Sequence, residues 1–137
     1  MLQAIREHFA ADGFLTQAGV VIEDVGLDWC RCSMRAGPAH TNAAGAVQGG
    51  AIFTLADSAF GVASNSRHLA EGDGRLTVAQ SSAISYLAAG QPGSTLYAQA
   101  RRIGGGKRTA VFQIDVTDEA GKLIATMTGN GITISLA

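Results

Sequence analysis

Charge is scarce in this chain. Only 15% of its 137 residues are charged and they sum to −1 at pH 7. That excludes a general attraction to nucleic acid or to membrane surfaces, so any anion must be held by a local cluster. Long apolar runs are missing too. No stretch approaches the length that spans a bilayer, and Met1 to Gly13 carries acidic residues where a secretory signal is apolar. No nucleic-acid or membrane partner is expected, and the expected location is cytoplasmic. Cysteine is limited to Cys30 and Cys32. Their i, i+2 spacing suits a disulfide poorly and two thiols make no zinc site, so both read as reduced core residues. The three histidines, His8, His40 and His68, have no ligand spacing, and no metal or cofactor is expected.

What remains is small and apolar. Hydrophobic residues make up 47% of the chain, high for a soluble monomer, which points part of the surplus at a subunit interface. The length suits one domain, residues 1–137, with a real core. Leu2, Ile5 and Phe9 share one face of a short helix over 2–10 that Gly13 ends. Two strand-like runs lie between Gly19 and Ala36, turning at Gly26. In the second, Cys30, Cys32 and Met34 alternate with Arg31, Ser33 and Arg35. Four more strand signals cover 76–87, 94–103, 108–117 and 122–134, and Leu76, Val78, Ile84 and Tyr86 keep even spacing in the first of them. Short turn-forming clusters between these runs favour antiparallel neighbours.

Between the two groups of strands lies a run of about sixteen residues after Gly49-Gly50, apolar nearly all round, which reads as a buried helix. A loop of turn-formers and charge follows at 71–75. One apolar helix among antiparallel strands needs a curved sheet of five to six strands wrapped round it, an α+β architecture. The polar residues of the helix are ordered: Thr54, Asp57, Ser58 and the gap at Gly61 form one stripe. A carboxylate there needs a partner, a proton or a function. Gly49 and Gly50 open the helix, where backbone N–H groups lack intrahelical partners and the dipole favours negative charge. A substrate carbonyl placed there would have its oxyanion stabilised, and Asp57 would activate water or attack the carbonyl itself.

The run Asn42-x-x-Gly45-x-x-Gln48-Gly49-Gly50, followed by Leu55-Ala56-Asp57, resembles the signature of the PaaI-type acyl-CoA thioesterases of the hotdog superfamily. Ser58-Ala59-Phe60, the run 84–87 and the run 121–125 are similar to that family as well. The resemblance implies the hotdog fold and hydrolysis of an acyl- or aryl-CoA, with coenzyme A as part of the substrate and phenylacetyl derivatives as one plausible class. It further implies homodimers, often paired into tetramers. The catalytic set it implies is Asp57, Gly49, Asn42 and Gln48. Asn42 either positions the water or nucleophile or caps its own loop. Gln48 stands where the family has histidine; it can donate a hydrogen bond but cannot change protonation between pH 5 and 8.

Gly50, Thr54 and Ser58 join the substrate site on this reading. Ser81 and Ser82 either line the acyl pocket or pack on the helix. Lys107 and Arg108, with Arg101 or Arg102, either hold the phosphates of coenzyme A or form a solvated hairpin tip. The rival readings are a non-catalytic acyl-CoA-binding protein and a hotdog hydratase or dehydratase, the latter disfavoured by Gln48. Gly49 and Asp57 lie eight residues apart, about 12 Å of helix rise, so a working site is expected to combine them from two antiparallel helices related by a two-fold axis near Phe53. Ala51, Ala56 and Ala59 are expected to let those helices approach closely.

Overall fold

The computed structural model describes residues 1–136. Its N-terminal segment holds two helices rather than one: α1, Leu2–Phe9, and α2, Gly13–Ala18. Gly13 starts the second helix instead of ending the first, because the Asp12 side chain caps it by accepting from the Leu15 N–H at 3.0 Å. Gly19, at φ 79°, closes α2 in the left-handed conformation. The Arg6 guanidinium of α1 donates to the Ile22 carbonyl and ties this segment to the sheet.

The strands are β1 (Val20–Gly26) and β2 (Trp29–Arg35), which form a hairpin. A single 3₁₀ turn at Pro38–His40 leads to the long helix α3 (Gly49–Glu71). Then come β3 (Arg75–Tyr86), β4 (Thr95–Gly105), β5 (Thr109–Thr117) and β6 (Leu123–Ser135). All six strands pair antiparallel in one sheet, in the order β1-β2-β4-β5-β6-β3. Alternation sends Cys30, Cys32, Met34, Leu96, Ala98, Ala100, Phe112, Ile114 and Val116 inward, where all are essentially buried. The Cys30 and Cys32 sulfurs sit 3.5 Å apart. That hydrogen bond, with burial, pushes the Cys30 thiol far above its ordinary value, so it is an inert packing residue.

At 23 residues, α3 is longer than its apolar run suggests. The charged turn 67–71 stays helical because its side chains are engaged. Arg67 donates to Asp28 in the β1–β2 turn at 2.7 Å, and His68 bonds Asp73 at 2.8 Å. Leu69 packs on the core, and the helix stops only at Gly72, φ 61°. Phe60 meets Phe112 edge to face at 5.6 Å between centroids. Gly129 and Gly131 of β6 lie under the Phe60 ring, where an added Cβ would sit 3.0 and 3.2 Å from its carbons. Glycine in β6 is therefore what lets helix and sheet approach here.

Two expectations fail against this packing. Ala56 and Ala59 are fully buried against the chain's own sheet and present nothing to a second helix. The even spacing across β3 is broken by a bulge. Ala79 pairs with Gly131 and Ser81 with Asn130, leaving Gln80 unpaired. The extra residue switches the inward side from Thr77 to Ile84 and Tyr86, so Leu76 and Val78 face outward.

Candidate active site

The loop before α3 is rigid for local reasons. The Asn42 carboxamide oxygen accepts from the Ala44 and Ala46 N–H groups at 2.9 and 3.0 Å, an Asx-type closure that Gly45 permits at φ 84°. Thr41 pairs with Val47, the Gln48 N–H donates to the His40 carbonyl, and the Val47 N–H to the Gly90 carbonyl. His40 is itself fixed: the Gly37 N–H donates to Nδ1, so Nε2–H donates to the Ala18 carbonyl at 2.7 Å. The loop and α2 are thereby joined.

Gln48 is the N-cap of α3. Its Oε1 folds back over Gly50 to accept from the Ala51 N–H at 3.2 Å. Its Nε2 has no protein partner among the described residues, and neither do the Gly49 and Gly50 N–H groups. Three unused donors thus converge at the helix start. Tyr86, brought inward by the β3 bulge, completes this end. Its hydroxyl donates to the Gly49 carbonyl at 2.9 Å, and its ring lies where a Gly49 Cβ would meet it at 3.2 Å. The sequence places Tyr86 on a strand and in the family-like run 84–87 without marking it as a site residue, and the bulge that aims it carries no clear local signal.

Two turns further on, Asp57 opens into a cavity of about 330 Å³ between α3 and the α1–α2 corner, walled by Phe9, Phe14, Leu15 and Phe53. Its carboxyl is raised above the ordinary aspartate value, first by burial and then by the negative charge of Asp12 on the same cavity. Thr54 and Ser58 flank it, but each hydroxyl donates to its own helix, to the Gly50 carbonyl at 2.8 Å and the Thr54 carbonyl at 2.6 Å. Gly49, Phe53 and Asp57 lie four residues apart in succession, so they share one ridge of α3. Along that ridge Gly49 and Asp57 are about 12 Å apart.

Other residues singled out in the sequence are not brought together. Strand alternation puts Ser81 on the outer face of the sheet, where its hydroxyl accepts from Asn130, and Ser82 on the inner face opposite Gly129, so both cannot line one pocket. Arg101 is also on the outer face, beside Arg31 and Tyr97. Lys107 and Arg102 line a different cavity of about 230 Å³ at the C-terminal end of α3, with Arg67, His68 and Arg75. Arg108 contributes its carbonyl to Thr133 on the neighbouring strand. No three His, Cys, Asp or Glu side chains converge among the described residues, and no helix among them is long and apolar enough to cross a membrane.

The comparisons with known proteins agree with this architecture. Residues 44–125 match the family model described as the thioesterase superfamily. A putative esterase of Archaeoglobus fulgidus is 41% identical over 90 residues, covering 66% of this chain and 54% of that protein. The acyl-coenzyme A thioesterase PaaI of Escherichia coli is 38% identical over 81 residues, covering 59% of this chain and 54% of that one. The matched stretch therefore spans about half the length of these curated relatives. The solved structure of the E. coli PaaI protein, from the phenylacetic acid degradation operon, superposes with a TM-score of 0.89 at 28% identity, over 97% of this chain and 92% of that one. The wrapped-helix architecture is the hotdog fold, and this chain belongs to the thioesterase superfamily.

Proposed function

We propose that this protein hydrolyses acyl-CoA thioesters to the carboxylic acid and free coenzyme A, at a site shared between two copies of the chain. One observation carries the reading. A mid-helix carboxylate with a raised affinity for protons opens into an apolar cavity, on the same ridge as unpartnered amides at the helix start. Carboxylate and amides are the two halves of an acyl-transfer site.

In this reading the Gly49 amide, with Gln48 Nε2 and the Gly50 amide beside it, receives the thioester oxygen as it becomes an oxyanion. Asp57 takes a proton from the attacking water, or attacks the carbonyl and is released by water afterwards. Either route breaks the carbon–sulfur bond, and the thiolate leaves as free thiol after taking up a proton. A raised carboxyl is the better base near neutral pH. Asn42 holds the loop with its oxygen, which leaves its nitrogen to position the water or nucleophile. Lys107, with Arg75 and Arg102, is the candidate contact for the coenzyme A phosphates on the helix side of the sheet, in a cavity where Asp28, Glu71 and Asp73 already engage Arg67 and His68.

The site requires a second copy because Asp57 cannot reach an oxyanion held 12 Å away along its own helix. Two α3 helices antiparallel about an axis at Phe53 set Gly49 of one opposite Asp57 of the other. β3 supports that pairing: it is a twelve-residue edge strand without proline, its one charged residue is Arg75, and no strand among the described residues pairs with its outer rim, where the Asn65 side chain takes the N–H and C=O of Thr77 only. Such an edge is a template for another strand. The test is release of free thiol from a panel of acyl-CoAs. The wild type is expected to turn over at least one of them, and Asp57→Asn to lose at least about a hundredfold. Turnover by Asp57→Asn within a few-fold of wild type would return Asp57 to a structural role.

A further inference from the structure

The chain is poor in aromatic residues, yet three of its five phenylalanines, Phe9, Phe14 and Phe53, stand round the Asp57 cavity. The other two, Phe60 and Phe112, stack on each other in the core. Phe14 is unlike the rest in being 72% exposed. It contributes little to the core, and its place on α2 is held by other groups: the Asp12 cap, buried Leu15 and the His40 bond to the Ala18 carbonyl. It is also the α2 residue common to two cavities. On one side lies the Asp57 cavity of about 330 Å³. On the other lies a more open, mostly apolar groove of about 600 Å³ running between α2 and the start of α3, past Ala18, Ala51 and Thr54, with Gln48 and Gly50 at its helix-start end. Phe14 and Thr54 form the ridge between them.

We infer that α2 is the acyl-selecting element of the site and that Phe14 is its specificity-determining residue. The inference rests on the thioesterase reading. An acyl group whose carbonyl is at Asp57 enters the smaller cavity and meets the Phe14 ring as its end wall. Compact apolar acyl groups fit beneath it, and longer chains are turned back. Shortening Phe14 joins the cavity to the groove and gives a long chain somewhere to lie. Asp57, the helix amides and the thioester geometry stay unchanged, so the effect belongs to selectivity and not to chemistry.

The test compares kcat/KM of wild type, Phe14→Ala and Phe14→Trp on phenylacetyl-, octanoyl- and lauroyl-CoA, with thermal unfolding as a control on folding. Phe14→Ala is expected to move the ratio of lauroyl to phenylacetyl turnover at least about tenfold toward the longer chain, and Phe14→Trp to move it the other way. Melting temperatures should stay close to wild type, since the ring is exposed. Wild type active on the panel with ratios unchanged in both variants would overturn the role of Phe14 and leave the thioesterase reading standing. A wild type inactive on all three substrates, and on the wider panel above, would overturn the thioesterase reading and this inference with it. If Phe14→Ala melts early, Phe14→Leu carries the same comparison with the apolar surface largely kept.

Discussion

Gly49 and Asp57 occupy the same ridge of one unbroken helix, with Phe53 midway between them, yet about 12 Å of helix rise keeps them from meeting. On the proposed reading each is half of an acyl-transfer site that its own chain cannot complete. In that reading the second copy covers the edge strand β3, the half-buried Phe53 and the open cavity at Asp57.

With Asp57 as base or nucleophile, as proposed, its protonation sets the acid limit of activity. Burial raises its carboxyl and Asp12 adds to the rise. The active form is the ionised one, so kcat/KM should climb with pH through a value above the aspartate reference of about 3.9. Asp12→Asn removes the smaller of the two causes. Its acid limb should move to lower pH without vanishing, because burial remains. A limb that stays in place, measured on a substrate whose ester is stable at low pH, would remove Asp12 from the electrostatics of the site.

The same shift has a consequence for stability. A carboxyl raised in the folded chain binds its proton more tightly there than when unfolded, so stability falls as pH rises through that window. Asp57→Asn should therefore melt above wild type at pH 7. The difference should close as pH drops below the unfolded value of about 3.9, where wild type is protonated in both states. A variant less stable than wild type at pH 7 would mean that the ionised carboxylate is satisfied in the assembled protein.

Gln48 has two roles that separate by substitution. Gln48→Ala removes both the cap and the free amide donor and should cost about 1 kcal/mol of stability along with activity. Gln48→Ser keeps a capping oxygen but no amide N–H, so it should unfold near wild type while turnover drops, on the order of a hundredfold if the donor meets the oxyanion. Equal turnover for Gln48→Ser and wild type would make the residue a cap alone.

The basic residues separate by the face of the sheet that carries them. Lys107→Glu should raise KM for an acyl-CoA by about tenfold, the scale of one charged hydrogen bond to phosphate. It should leave the acyl-N-acetylcysteamine analogue, which has no phosphates, unchanged. Arg101→Glu should affect neither substrate, because Arg101 lies on the outer face with Arg31 and Tyr97. A larger effect from Arg101 would place the phosphates outside the sheet.

Periodicity made the architecture legible. The alternation of Cys30, Cys32 and Met34, and of Leu96, Ala98 and Ala100, reads correctly from residue type because each strand has one buried face. The stripe on α3 is where spacing placed it. What was not legible depends on contacts distant in sequence. The apolar run ends before the turn 67–71, which Asp28 and Asp73 keep helical. The bulge at Gln80 reverses the sides of β3, while plain alternation separates Ser81 from Ser82. Arg101 and Lys107 look like neighbours, but alternation and the hairpin tip send them to opposite sides of the sheet. α2 is the local exception: Gly13 reads as a terminator unless the Asp12 cap just before it is weighed.

The shared site is tested most directly by mixing two inactive variants, Asp57→Asn and Gly49→Pro. Proline suits the first position of a helix and removes only the amide there. Gln48 is already extended, at φ −68° and ψ 136°, as a residue before proline must be, and the Tyr86 ring needs to give by a few tenths of an ångström. Each homodimer should be inactive. A mixed dimer joins Asp57 of the Gly49→Pro chain to Gly49 of the Asp57→Asn chain, restoring one of its two sites. A random equimolar mixture should then recover about a quarter of wild-type activity. No recovery, with heterodimers confirmed by mass, would contradict a site built from two chains.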